Sequence, residues 1–502
     1  MNEKKQKLLD RRIAGILMHP TSLPGVFGIG DLGPESYAFV DFLKKSGQHI
    51  WQTLPLGPTG ANNCPYQCFS SFAGQPLLVS PDLLVKDELL TEKDLENVPH
   101  FPEDHVDYDA VTAYKTELFH KAFDRFRALE EEDALVVLFQ EFCDNTEWLD
   151  DYAMFMAIKA SKHGLHWLNW EKKYRKPTKT QKKVIARELE EEILFEKFIQ
   201  WLFFKQWMDL KAYANENDVY LVGDIPIFVS PDSADVWTEP KLFQVDSDGF
   251  PKVVAGVPPD YFSETGQLWG NPLYNWKYHK KNNYDWWMKR IKVQLELSDI
   301  VRIDHFRGLE SYWEIPADAK TALEGSWKPG PRAEFFQTMI DTLGDDLPII
   351  AEDLGIITEE VCALRDQFNL PGMKILQFAF EDDNSSYLPY NQTFNCICYT
   401  GTHDNDTSVG WYNNATEKQK DKVRRYMNTD ASAIHWDFIR TCHGSPAKIA
   451  IVPVQDLLGQ GSEYRMNIPG VAEGNWAYRL KKNQLNEGIG AYLKSITELY
   501  GR

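Results

Sequence analysis

Cysteine is scarce in the sequence, and the few cysteines form no pattern. Seven thiols in 502 residues are odd in number and scattered, which predicts free thiols in a reducing compartment rather than a disulfide framework. The pairs Cys64-x3-Cys68 and Cys396-x-Cys398 could each supply half of a tetrahedral zinc site. The second pair has no matching Cys or His pair nearby in the sequence, so we expect no structural zinc.

Long hydrophobic runs are also missing. No apolar run reaches the roughly 20 residues that a membrane-spanning helix needs. The basic start MNEKKQKLLDRR precedes IAGILM, which is too short for the core of a signal peptide. We therefore expect a cytoplasmic protein without a membrane partner.

Positive charge is in deficit. The chain has 54 Lys and Arg against 74 Asp and Glu, a formal net charge of −20, which argues against nucleic acid as a partner. Aromatic side chains, in contrast, are plentiful at 13% of the residues, including 16 Trp and 22 Tyr. Their faces suit flat apolar ligands and sugar rings, although core packing accounts for most of them.

Familiar catalytic motifs do not occur either. There is no nucleophile-elbow sequence and no Walker-type phosphate loop. Gly28-x-Gly30-x-x-Gly33 has the spacing of a dinucleotide fingerprint. Several loop residues separate it from the preceding apolar run, and no acidic residue follows at the expected distance of about 20. We therefore expect no nucleotide site there.

Four short apolar runs each end in a carboxylate. They are VYLVGDIP with Asp224, SDIVRIDHFRG with Asp304, LPIIAEDLG with Glu352 and NCICYTGTHDNDT with Asp404. An apolar run that ends in clustered charge is typical of a buried strand that emerges at a functional site. A solvated strand end would explain any single case, but the recurrence favours one shared site.

The order of predicted elements indicates the fold class. Eight strands, mostly separated by helices, are predicted at residues 13–18, 49–54, 219–224, 299–304, 347–352, 373–378, 395–400 and 448–453. This alternation predicts an α/β protein with a (β/α)8 TIM barrel, whose active site lies at the carboxyl ends of the strands. A doubly wound open sheet is the alternative, but it gathers carboxylates from these strands less readily.

Two long insertions interrupt this alternation. Residues 55–215, after the second strand, are predicted to be a largely helical insertion, and residues 226–290, after the third, an irregular loop rich in aromatics. The chain ends shortly after the eighth strand. We therefore expect one barrel domain over residues 1–502, without a C-terminal β-sandwich domain.

Three kinds of chemistry remain open for these carboxylates. A metal site would use them as oxygen ligands, and a glycosidase-type site would use one as nucleophile and one as acid/base. A carbohydrate-binding barrel without catalysis is the third. Arg302 favours glycosyl chemistry, because it lies two residues before Asp304 on one strand and shares its face. There it would keep the carboxylate ionised, whereas it would repel a metal cation.

The motifs also resemble a known family. HPTSLPGVFGIGDLG, GDIPIFV, PPDYFSETGQLWGNPLYNW, RIDHFRG, AEDLG and GTHDND, in this order, are similar to the 4-α-glucanotransferases called amylomaltase or disproportionating enzyme. This family is an α-amylase relative among the glycoside hydrolases, and the resemblance extends from about Ile13 to the C-terminus. The resemblance implies a retaining enzyme with α-1,4-glucans and maltooligosaccharides as donor and acceptor. It implies neither an organic cofactor nor a metal.

The resemblance also assigns roles to residues. It implies that Asp304 is the nucleophile and Glu352 the acid/base. It implies that Asp404 is the third carboxylate, which holds the donor glucose hydroxyls and stabilises the transition state. Substrate-binding residues are expected at Tyr66, Asp224, Arg302, His403, Trp269 and Phe262. Cys64 departs from the family, which often has Ser before the Pro-Tyr pair.

Trp269, Phe262 and Tyr261 lie in the aromatic loop between the third and fourth strands. We expect them to form an apolar platform for the acceptor and to limit the access of water. The alternative is that they only pack this loop onto the barrel.

Overall fold

Eight parallel strands form the centre of the fold, in a computed structural model that describes residues 8–259 and 264–502. With the four strands of a second sheet, the described residues form twelve strands: β1 Ile13–Leu17, β2 Ile50–Gln52, β3 Tyr220–Pro226, β4 Val253–Val257, β5 Gln267–Pro272, β6 Ile300–Asp304, β7 Ser311–Pro316, β8 Ser326–Pro329, β9 Ile349–Ala351, β10 Gly372–Ile375, β11 Cys396–Tyr399 and β12 Ile449–Pro453. The parallel sheet has the order β10-β11-β12-β1-β2-β3-β6-β9. The amide of Ala351 donates a 2.9 Å hydrogen bond to the carbonyl of Pro371, directly before β10, and so joins the two outer strands. The sheet is therefore nearly closed into a barrel.

Helices cover the outside of this barrel. They span Pro34–Lys45, Pro81–Lys86, Tyr108–Phe126, Ala134–Asn145, Leu149–Ser161, Lys172–Arg175, Lys179–Glu188, Glu190–Glu216, Ala234–Thr238, Trp276–Lys281, Asp285–Leu297, Arg332–Leu343, Glu359–Gln367, Ser408–Asn414, Glu417–Met427, Ile434–Gly444, Val454–Leu457 and Glu487–Leu499. None of them, within the residues that the structure describes, has the length and apolar character required to cross a bilayer. The predicted (β/α)8 fold is confirmed by this arrangement of strands and helices.

The strands are apolar because both of their faces are covered. All five residues of β1 and of β12 are buried, as expected for a parallel strand with side chains on one side and helices on the other. The first covering helix begins at Pro34, where the missing amide hydrogen has no cost. It ends before Gly47, whose φ of +70° lets the chain turn into β2.

Some element boundaries differ from those predicted. The strand predicted at residues 373–378 ends at Ile375, and residues Leu376–Phe380 form a 3-10 helix. The basic segment at 171–183, which reads most simply as an exposed turn, contains the helix Lys172–Arg175 and the start of the helix Lys179–Glu188. Thr178 and Gln181 form a capping box at the second helix, which the run of lysines conceals in the sequence.

A second sheet lies beside the barrel. The strands β4 and β5, from the aromatic insertion, pair with β7 and β8 in an antiparallel sheet of order β5-β4-β7-β8. These strands were not predicted from the sequence. They are short, the register of β4 shifts between Val254 and Gly256, and their partners β7 and β8 come only after β6. In the other insertion, between β2 and β3, the structure has mainly helices.

The glycine pattern at residues 28–33 has a structural explanation. A Cβ atom on Gly30 would lie 2.0 Å from the carbonyl oxygen of Pro20, so the backbone there is packed too closely for any other residue. Asp31 accepts hydrogen bonds from the amide of Gly33 at 2.9 Å and from the fully buried ammonium of Lys115 at 3.2 Å. The loop is thus fixed to the helical insertion by its own side chain.

Candidate active site

A buried guanidinium connects two neighbouring barrel strands at their carboxyl ends. Asp224 on β3 is paired in register with Arg302 on β6. One terminal nitrogen of Arg302 donates to both carboxylate oxygens of Asp224, at 2.7 and 2.6 Å, and the other donates to Asp304 at 2.9 Å. The side chains of Arg302 and Asp224 are 4% and 0% exposed, whereas that of Asp304 is 29% exposed. The clamp therefore presents the Asp304 carboxylate at the edge of the site.

Glu352, directly after β9, is the second carboxyl group at this edge. Its oxygens accept 2.7 Å hydrogen bonds from the backbone amides of His305 and Leu354. Burial, together with the negative charge of Asp304, raises the pKa of Glu352 to about 8. Burial also raises the pKa of Asp304, to about 6, although Arg302 opposes this effect. The coupled pair thus holds one proton near neutral pH, and the environment favours Glu352 as its site.

The backbone conformation of His305 allows its amide to bind Glu352. Its φ of +51° lies in the left-handed region, which a residue with a Cβ rarely adopts. In this conformation its amide donates to Glu352, while its ring stands edge-on to Trp269, with the ring centroids 4.9 Å apart. The turn after β6 therefore links the catalytic edge of the barrel to the second sheet.

Asp404 lies in the loop after β11 and is oriented from two sides. An Nε2 nitrogen of His403 lies 3.3 Å from one carboxylate oxygen, and the amide of Asn467 donates to the other at 2.6 Å. Arg465 donates to the backbone carbonyl of Asp404 at 2.9 Å. Burial alone would raise the pKa of Asp404, but His403 and Asn467 hold it well below its usual range. This carboxylate is therefore ionised at neutral pH.

Aromatic rings form one wall beside these carboxylates. The hydroxyl of Tyr66 donates to Asp224 at 2.8 Å, and its ring is stacked on His403, with centroids 5.2 Å apart and planes 18° apart. The indole of Trp476 lies 5.8 Å from the ring of Tyr66. Flat apolar faces next to carboxylates that accept hydroxyl hydrogens are the combination that a sugar ring requires.

The surrounding cleft is wide, about 1650 Å³ when the open solvent at its mouth is included. Among its lining residues are the predicted residues Tyr66, Trp269, Asp304, His403 and Asp404, and also Trp476 and Asn467. The structure thus brings most of the predicted residues to one place, with Arg302 and Asp224 directly beneath Asp304. Phe262 and Tyr261 lie outside the described residues.

Three residues of the site escaped the sequence analysis: Arg465, Asn467 and Trp476. They come from the segment after β12, to which no role was assigned. Its position is the only signal that could have found them, because the loop after the eighth strand of a barrel emerges on the catalytic face. Their identities carry no motif.

The thiols give no sign of chemistry at the site. All seven cysteines are free, and Cys64 lines the cleft. Burial raises the pKa of Cys64 to about 11, so the unreactive thiol form prevails at neutral pH. In the parts of the chain that the structure describes, no three or more His, Cys, Asp and Glu side chains are grouped so as to hold a metal ion.

Comparison with known proteins identifies the family. A family model described as 4-alpha-glucanotransferase matches residues 18–485 of the chain. The chain belongs to the 4-alpha-glucanotransferase family. It is accordingly an enzyme of the glycosyltransferase type, and the resemblance found from the sequence motifs is confirmed.

Two curated 4-alpha-glucanotransferases illustrate the similarity over the whole chain. The one from Synechocystis sp. is 50% identical over 507 residues, covering 99% of both chains. The one from Thermus thermophilus is 46% identical over 498 residues, covering 97% of this chain and 98% of the relative. The solved structure of amylomaltase from Streptococcus agalactiae in complex with acarbose matches with a TM-score of 0.95 and 41% identity, covering 98% of this chain and 100% of the other.

Proposed function

We propose that this 4-alpha-glucanotransferase transfers a segment of an α-1,4-glucan to the 4-hydroxyl of an acceptor glucan or glucose. The reaction proceeds by a retaining double displacement through a covalent glycosyl-enzyme on Asp304. One observation carries the proposal: Asp304 accepts a hydrogen bond from the guanidinium of Arg302, whereas the oxygens of Glu352 accept from two backbone amides. Burial raises the pKa of both carboxyl groups, that of Asp304 to about 6 and that of Glu352 to about 8. One is the ionised nucleophile and the other the protonated acid that such a reaction requires.

In the first displacement, Asp304 attacks the anomeric carbon of the donor while the glycosidic bond breaks. Glu352 gives its proton to the departing glycosidic oxygen, so the reducing-end fragment leaves as a neutral alcohol. Arg302 keeps Asp304 ionised and aims it, because its guanidinium is itself fixed by Asp224. The anomeric carbon inverts once.

In the second displacement, the acceptor 4-hydroxyl attacks the glycosyl-enzyme and frees Asp304. Glu352, now a carboxylate, takes the hydroxyl proton, which restores the starting state and inverts the anomeric carbon again. Asp404 and His403 are suited to hold hydroxyls of the donor glucose, and the face of Tyr66 to stack on that sugar. The product therefore keeps the α configuration.

The charge arrangement supports glycosyl chemistry over metal-assisted chemistry at this site. The guanidinium of Arg302 lies between the carboxylates of Asp224 and Asp304, which a metal ion would have to share. A cation placed there would be repelled by the arginine and would compete for oxygens that already accept hydrogen bonds.

Transfer must compete with hydrolysis, since water is in vast excess over any sugar. An acceptor bound in attack geometry can gain an effective molarity of about 10⁵ M or more, which is enough to prevail. Trp269 is suited to this role, because it lines the cleft and its ring is in contact with His305, next to the nucleophile. We assign it, with Phe262, to an apolar acceptor platform.

Maltotriose as sole substrate provides the first test. The proposal predicts glucose together with longer maltooligosaccharides, with almost no net gain in reducing ends, resolved by chromatography. Asp304→Asn should abolish turnover, because the amide is a poor nucleophile, yet leave maltotriose binding largely intact in calorimetry. Hydrolysis to maltose and glucose in the wild type, or a near-normal rate in the variant, would contradict the proposal.

The pH dependence provides the second test. Activity requires Asp304 deprotonated and Glu352 protonated, so kcat/KM should rise through about pH 6 and fall through about pH 8. A glycosyl fluoride is a donor whose leaving group needs no protonation. With this donor, kcat/KM for the first step should no longer decrease above about pH 8. An alkaline fall that persists with the fluoride would remove Glu352 from the role of general acid.

The acceptor platform provides the third test. Trp269→Ala should raise the ratio of hydrolysis to transfer more than it lowers total cleavage of maltotriose, because water then reaches the intermediate. Trp327→Ala is the matched control: this tryptophan is 40% exposed on β8 of the same sheet and is not among the cleft residues. If Trp269→Ala lowers both activities in proportion, or behaves as the control does, the tryptophan only packs the sheet.

A further inference from the structure

One buried carboxylate grips both ends of the loop that carries His403 and Asp404. The loop begins at Thr400, directly after β11, and ends at Ser408, the first residue of the helix Ser408–Asn414. Asp456 lies in the single helical turn Val454–Leu457, directly after the neighbouring strand β12.

The carboxylate of Asp456 accepts hydrogen bonds from both ends of the loop. One carboxylate oxygen accepts hydrogen bonds from the hydroxyls of Thr400, at 2.5 Å, and Ser408, at 2.8 Å. The other accepts from the backbone amide of Ser408 at 2.6 Å. A single rigid group thereby fixes the distance between the two ends of the loop.

Because Asp456 is buried, its carboxylate depends on these hydrogen bonds. Asp456 is 1% exposed, and Thr400 and Ser408 are fully buried. A carboxylate in such a place is costly unless donors satisfy its oxygens, and the three donors here all belong to the loop ends. If either end moved away, the carboxylate would lose partners that water could not readily replace.

Other segments hold the middle of the loop. Asn467 and Arg465 donate to Asp404, and the hydroxyl of Ser462 donates to Asp406 at 2.8 Å. Asn405 bonds within the loop, to the amide and hydroxyl of Thr402, and the amide of Gln377 donates to the carbonyl of Asp406 at 2.7 Å. Behind the loop lies a cavity lined in part by His403, Asp406 and Asp456. Asp456 sets where the two ends of the loop lie, and other segments hold its middle.

We propose that Asp456 is a positioning residue for glycosyl transfer, which acts by fixing the loop so that Asp404 and His403 meet the donor sugar. It acts only through Thr400 and Ser408, and it is not among the residues that line the described cleft. The inference rests on the proposed role of Asp404 in holding the donor glucose.

The test compares Asp456→Ala with a variant of equal burial at the opposite end of the barrel. Asp299 is also 1% exposed and accepts hydrogen bonds from the amide of Leu221 and the side-chain amide of Asn215, both at 2.9 Å, before β6 begins. Both variants should lower the melting temperature. Only Asp456→Ala should lower kcat for maltotriose disproportionation, by about 10- to 100-fold, because misplacement by an ångström has effects of that size.

The split between kcat and KM separates positioning from general loosening. kcat and kcat/KM should fall together in Asp456→Ala, because a displaced Asp404 loses hydrogen bonds to sugar hydroxyls that strengthen in the transition state. Asp456→Asn, which retains one acceptor oxygen, should recover part of kcat. Equal losses of kcat in the alanine variants of Asp456 and Asp299, or a normal kcat in folded Asp456→Ala, would overturn the inference.

A second variant keeps the test decisive if Asp456→Ala fails to fold. Thr400→Val combined with Ser408→Ala removes the two hydroxyl donors but leaves the backbone amide bond and the carboxylate. We expect its kcat to fall by about tenfold, and a normal kcat would overturn the inference. Failure of the proposed function is distinguishable, because the wild type itself would then give no transfer products.

Discussion

The site depends on the ion pair between Arg302 and Asp224. The two residues are opposite each other in the register of two parallel strands, and both side chains are buried. Removal of Arg302 would leave the carboxylate of Asp224 buried without its cation, which is strongly destabilising. Because the guanidinium is held in this way, its second nitrogen can bind Asp304 in one fixed direction. The geometry of the nucleophile therefore follows from the register of the barrel.

The surroundings of the three carboxyl groups determine which of them are ionised. Burial raises the pKa of both Asp304 and Glu352, but only Asp304 is bonded to a cation. Glu352 is bonded to two backbone amides and faces the charge of Asp304, so it retains the proton. Asp404, beside His403 and Asn467, stays ionised. Three similar groups thereby acquire different chemical roles from their surroundings.

The barrel strands and the carboxylates at their ends could be predicted from the sequence. Buried parallel strands are apolar throughout, so their ends are visible, and Asp224, Asp304, Glu352 and Asp404 are each found at or just beyond such an end. The second sheet could not be predicted, because its short strands are distant in sequence and one is bulged. The partners of Asp404 and Asp456 escaped for a similar reason. Asn467, Thr400 and Ser408 are ordinary polar residues, and only the closed barrel brings them next to these carboxylates.

The covalent intermediate on Asp304 is the central claim, and trapping it is the most direct test. Glu352→Gln should react with an α-maltosyl fluoride, whose leaving group needs no acid, yet release the sugar slowly without a base. Mass spectrometry of the digested protein should then find a glycosyl adduct on the peptide that contains Asp304. An adduct on another carboxylate, or turnover to a product of inverted configuration without any adduct, would contradict the account.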